Sequence, residues 1–106
     1  MIDTVVGIGV CSGDETDKFD KFKLTPVQGK YVEAPLIGEC LANIECTVVE
    51  IIKRHNIVVL DAVAASINST RKETRMLHAV GDGSFIVDGR KLDRREMMRA
   101  RLPDGV

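Results

Sequence analysis

The sequence predicts a mainly β, antiparallel domain with short helices at its periphery, and three observations lead there. The first is alternation: Cys40, Ala42, Ile44, Cys46, Val48 and Ile52 fall on one side of an extended chain, with Asn43, Glu45 and Thr47 on the other. The second is a run of β-formers from Ile57 to Ile67, joined to the first by Lys53-Arg54-His55-Asn56, a polar link short enough for a hairpin. The third is size. A chain of 106 residues, 44% of them hydrophobic, is expected to bury roughly 65% of its unfolded surface around one modest core.

In chain order, Ser12 and Glu15 have capping-box spacing and predict a short helix beginning near Gly13, with Phe19 and Phe22 at i, i+3. Pro26, Gly29 and Pro35 then break regular structure, leaving an extended connection with Tyr31-Val32 as an edge strand. After the hairpin, Thr70 and Glu73 repeat the capping spacing and predict a helix through Met76, Leu77 and Val80, stopped by Gly81. Ser84 to Val87 reads as a third strand between the turn signals Gly81-Asp82-Gly83 and Asp88-Gly89. From Arg90 to Arg101 the chain is rich in arginine and predicts a basic surface helix ending before Pro103. Leu92, Met97, Met98 and Leu102 make only a ragged stripe on it, so it needs docking to persist.

Several function classes are disfavoured. Fifteen Lys+Arg against 16 Asp+Glu leave a net charge of −1, which weighs against a general nucleic-acid or membrane-surface binder, despite Arg94, Arg95, Arg99 and Arg101. No long apolar run or secretory signal is visible, so the expected compartment is the cytoplasm. Cys11, Cys40 and Cys46 are odd in number and read as reduced thiols. Cys40 and Cys46 read as core and, about 20 Å apart on an extended strand, do not share a metal. No zinc spacing, Ser-His-Asp set or P-loop is present, and Gly7-Ile8-Gly9 is too short for a dinucleotide fingerprint. No metal or nucleophilic mechanism is expected.

A few antiparallel strands cannot close a barrel, and their edges need a cover. Oligomerisation is therefore expected.

The order of motifs resembles the C-terminal half of the flavin reductase-like, FMN-binding split-barrel family, of the flavoredoxin type. The segments are Gly9-Val10-Cys11-Ser12-Gly13, Asp17-Lys18-Phe19 and Leu24-Thr25-Pro26-Val27; then Ala34-Pro35-Leu36-Ile37 with Glu39-Cys40 and Glu45-Cys46. His55 before the run containing Asp61-Ala62-Val63, and Gly81-Asp82-Gly83-Ser84-Phe85, complete the series. The resemblance covers residues 4 to about 91. Lys23 stands where the family often has glycine, Leu60-Asp61 where it usually has Gly-Glu, and the basic tail lacks a clear family counterpart.

The resemblance implies a truncated antiparallel split β-barrel over residues 1–91 and a basic helical tail over 92–106. It implies FMN as cofactor and hydride or electron transfer involving NAD(P)H or a redox protein. The matching site residues are Lys18, set against the FMN phosphate; His55, near the flavin; and Phe85, packed on the isoalloxazine. On the residues alone these are a surface lysine, a turn histidine and an apolar strand residue. The family's N-terminal half lacks a counterpart here, so a homo-oligomer or a complementing N-terminal half is expected to finish the enclosure. The alternative is a non-catalytic protein-interaction module derived from the same fold.

Overall fold

A computed structural model describes residues 1–105 of the chain. It divides into two compact bodies, Met1–Thr74 and Arg75–Val106. The first holds α1 (Ile2–Gly9), α2 (Lys18–Lys21), β1 (Pro26–Val27), β2 (Leu36–Ile37), β3 (Ala42–Ile52) and β4 (Ile57–Ile67). The second holds β5 (Leu77–Ala79), β6 (Phe85–Val87) and α3 (Arg95–Met98), followed by a 3-10 turn at Arg99–Arg101. All three strand pairs are antiparallel, two-stranded sheets: β1 with β2, β3 with β4, and β5 with β6. Among the described residues no helix is long and apolar enough to cross a membrane.

The long ribbon β3–β4 dominates the first body, and its span of Ile57–Ile67 is that of the β-rich run. The connection is a 3-10 turn at Lys53–His55 closed by Asn56 in the left-handed region (φ 52°), a conformation asparagine tolerates better than most residues. Two register shifts interrupt the ladder, between Glu45 and Cys46 and between Val48 and Glu50. The first leaves Val63 as the extra residue on β4 and the second leaves Val49 as the extra residue on β3. Directly opposed residues share a face, so one face carries the pairs Ile44–Ala65, Cys46–Ala62, Val48–Leu60 and Ile51–Val58, all apolar. The other face carries Asn43–Ser66, Glu45–Ala64, Thr47–Asp61 and Glu50–Val59, with Ile52–Ile57 at the tip. Simple alternation placed Ile52 with Val48; the extra residue at Val49 moves it across and puts Ile51 in its place.

Several helix expectations are corrected. Ser12 does not cap a helix; its Oγ accepts from Asp14 N at 3.2 Å within a turn. The helix starts instead at Lys18, where the Asp17 carboxylate accepts from Asp20 N at 3.2 Å. No helix follows Thr70, because Asn68 Oδ1 takes the Thr70 amide (3.2 Å) and hydroxyl (2.6 Å) into a local turn, and Leu77 enters β5. The basic tail forms only the single turn of α3 and the 3-10 turn after it, and Met97 is 84% exposed. Tyr31-Val32 is not a strand; the short pair is Pro26–Val27 with Leu36–Ile37. An N-terminal helix that the sequence reading did not predict occupies Ile2–Gly9.

The expectation of a modest core is also corrected. Among the described residues no hydrophobic side chain is buried, the cysteines included, and the buried residue is a carboxylate, Glu45, 6% exposed. The apolar ribbon face lies open, with Ile44 64% and Val48 61% exposed.

Candidate functional site

Lys18 opens α2 and reaches back to α1, its Nζ donating to Ile8 O at 2.9 Å. An ammonium at the carbonyl end of a helix satisfies an orphan acceptor and meets the negative end of the dipole. Phe22 seats its ring on Gly7, where a Cβ would overlap it. These two contacts tie the segment to α1.

His55 ends the turn at the ribbon tip, exposed to solvent and without a hydrogen-bond partner among the described residues. Phe85 belongs to the second body, half-buried in β6 opposite Ala79. The hairpin that presents it turns through Gly81 (φ 104°) and Gly83 (φ 91°). There Asp82 accepts from Ser84 N at 2.9 Å, and Asp88 accepts from Met76 N at 2.9 Å and pairs with His78 Nε2 at 2.7 Å. Lys18 and His55 thus share the first body, while Phe85 lies in the other.

The sequence reading missed the groups that shape the segment between the two positions in the first body. Three side chains of the β3 entry clamp residues 25–37. Glu39 accepts from Thr25 N at 2.9 and 3.0 Å and from its hydroxyl at 2.7 Å. Asn43 imitates a strand neighbour, accepting from Ile37 N at 2.9 Å and donating to Ile37 O at 3.1 Å. Glu45 accepts from Tyr31 N at 2.7 Å and Val32 N at 3.1 Å, and Gly29 leaves room for it: a Cβ there would sit 2.7 Å from Glu45 Oε1. The clamped loop walls a groove of about 520 Å³ lined by residues 26–33 and Pro35, with Lys30 Nζ 5.3 Å from the Tyr31 ring centre. Polar residues alternating into a strand were the available signal; Asn43 and Glu45 stood as the strand's polar face, and Glu39 and Glu45 as residues of the family motif.

These bonds set the electrostatics. The Thr25 amide, then its hydroxyl, hold the Glu39 carboxyl below its ordinary value, and the Tyr31 amide does the same for Glu45. A carboxyl depressed on folding stabilises the fold above its unfolded pKa, near 4.5, and that contribution is lost as pH falls through the folded value. As pH falls below about 4.5, the hold on residues 25–32 therefore weakens. Amide exchange across those residues against pH measures this, and Glu45→Gln is expected to flatten the profile.

Lys23 sits at φ 55°, in the left-handed region. The physical reason for glycine at the matching family position is thereby plain, since glycine takes that conformation without a Cβ clash. Lys23→Gly is expected to stabilise the first body by about 0.5–1 kcal/mol, read as an increased urea midpoint.

The architecture is that of a known fold. The solved structure of flavoredoxin from Desulfovibrio vulgaris (Miyazaki F) superposes with a TM-score of 0.76 over 88% of this chain and 56% of that one, at 22% identity. The sequence pattern described as the flavin reductase like domain matches residues 3–83. The chain belongs to the flavin reductase-like family. A 42-residue stretch is 48% identical to an uncharacterized protein of Archaeoglobus fulgidus, covering 40% of this chain and 24% of that protein. The chain thus spans about half the flavoredoxin chain and about a quarter of the archaeal one.

Lys18, His55 and Phe85 fit a flavin in kind. The ammonium keeps two N–H donors beyond its bond to Ile8 O, the imidazole is uncommitted, and the phenyl ring offers an apolar surface.

Proposed function

We propose that this chain is the FMN-binding part of a flavin reductase-like oxidoreductase of split-barrel type, moving hydride or electrons between NAD(P)H or a redox protein and FMN. The family match over residues 3–83, which contains Lys18 and His55, carries this reading. In it Lys18 holds the phosphate dianion, with one of its donors retained by Ile8 O. His55 donates to or accepts from the polar edge of the ring system, and Phe85 packs on its face. The flavin, when bound, supplies the redox chemistry, and the chain's residues orient it and keep water from its face. The half-domain over 1–91, the basic tail over 92–106, a cytoplasmic setting and an oligomer that finishes the enclosure belong to the same proposal. Titration of the purified chain with FMN tests it. Uptake of visible flavin absorbance is expected, and a chain that takes up none at high FMN concentration refutes it.

A non-catalytic interaction module is the second reading, favoured by one observation: the absence of any buried apolar side chain among the described residues. It expects a stable protein complex with no flavin uptake.

A further inference from the structure

The groove walled by residues 26–33 and Pro35 is held in shape by side chains that take no part in lining it. Glu45 draws the Tyr31 and Val32 amides inward at 2.7 and 3.1 Å. At Gly29 the turn is tight enough that a Cβ would stand 2.7 Å from Glu45 Oε1 and 2.9 Å from Val32 O. With the amides turned to the ribbon, the side chains around them face outward: Tyr31 is 64% exposed, and Gln28, Lys30 and Glu33 are exposed as well. Among the described residues none of these four side chains makes a hydrogen bond or a close ion pair, and the Lys30 ammonium lies 5.3 Å from the centre of the Tyr31 ring. A loop already fixed has little conformational freedom left to lose on binding. Uncommitted polar and aromatic groups on such a loop suit ligand recognition.

The chemistry of the four side chains defines what they can hold. The Tyr31 ring takes the ammonium on one face and leaves the other to a planar base. Lys30 supplies one positive charge, on a flexible stem, for one phosphate. Glu33 accepts from paired hydroxyls and repels a second phosphate, and the Gln28 amide both donates and accepts at a base edge. One cation and one anion do not suit a polyanion. They suit a unit with a base, a ribose diol and a single phosphate, and a volume of about 520 Å³ lies within the usual small-molecule range of about 300–1,000 Å³.

We propose that this groove binds an adenosine 5′-phosphate unit, the half of NADH remote from its hydride-bearing ring, with Glu33 selecting NADH over NADPH. The choice of NADH as the source of that unit rests on the oxidoreductase reading. The groove itself is tested without flavin, so failure of FMN binding and failure of the groove are separate results.

The experiment is calorimetric titration of the purified chain with AMP, adenosine 2′,5′-bisphosphate and NAD⁺, with FMN uptake read separately by visible absorbance. AMP is expected to bind, NAD⁺ to displace it, and the bisphosphate to bind about tenfold more weakly than AMP. Tyr31→Ala and Lys30→Met each weaken AMP binding by about tenfold or more, Tyr31→Phe retains it, and Glu33→Gln brings the bisphosphate to within about twofold of AMP. No AMP binding at millimolar concentration, AMP binding indifferent to Tyr31→Ala, or displacement of AMP by FMN overturns the groove as a separate nucleotide site. AMP binding that NAD⁺ does not displace overturns the dinucleotide as its source. Equal binding of AMP and the bisphosphate overturns the role of Glu33.

Discussion

Lys18→Met is expected to weaken FMN binding about tenfold to a hundredfold more than riboflavin binding. Removing the ammonium removes one charge-assisted bond to a phosphate, about 1.5–3 kcal/mol, and riboflavin carries no phosphate. The comparison also separates two roles of this side chain. Its Nζ holds Ile8 O at the end of α1, so the variant loosens that helix whatever the ligand. Loss of the helix contact alone weakens both ligands equally, and only a phosphate contact changes their ratio. Fluorescence titration of both ligands against wild type and variant reads that ratio directly. An unchanged ratio removes Lys18 from the site.

Glu45→Leu lowers the thermal midpoint by on the order of 10 °C, through the loss of hydrogen bonds to charged acceptors and the stranding of two donors. The carboxylate lies on the polar face of β3, 6% exposed, and receives the amides of Tyr31 and Val32. Leucine replaces an acceptor with a hydrocarbon of similar size, so the two amides lose their partner. Glu45→Gln keeps one oxygen and is expected to recover part of the loss. Thermal unfolding followed by circular dichroism orders the three proteins. A leucine variant that melts with wild type would show that the loop is held by something else.

The ribbon was legible in the sequence because its signal is local. Ile57 to Ile67 is continuous in β-formers, and the four residues before it are polar, so strand, turn and strand each announced themselves. Phe85 and its turn were legible for the same reason, through Gly81 and Gly83 at positive φ. What alternation cannot reveal is an extra residue: Val49 and Val63 look like ordinary strand valines, and only pairing exposes the shift. The failed capping boxes at Ser12 and Thr70 show a different limit. Ser and Asn serve turns as readily as helix starts, and nothing local decides between them. The clamps of Glu39, Asn43 and Glu45 join residues six to fourteen positions apart, a separation that no periodicity encodes. Of the candidate site, the residue types came from family motifs, while the clamps that hold residues 25–37 were not legible.

The two irregularities of the ribbon are independent of one another. Partner numbers add to 109 at either end and to 108 between Cys46 and Val48. Each change of sum belongs to one valine that faces no partner, so losing Val49 alone would bring Glu50 directly after Val48 and leave both opposite their present partners, Val59 and Leu60. Losing Val63 alone would do the same for Ala62 and Ala64. In evolution, therefore, single-residue gaps at the two sites should arise separately, as two independent events rather than a compensated pair.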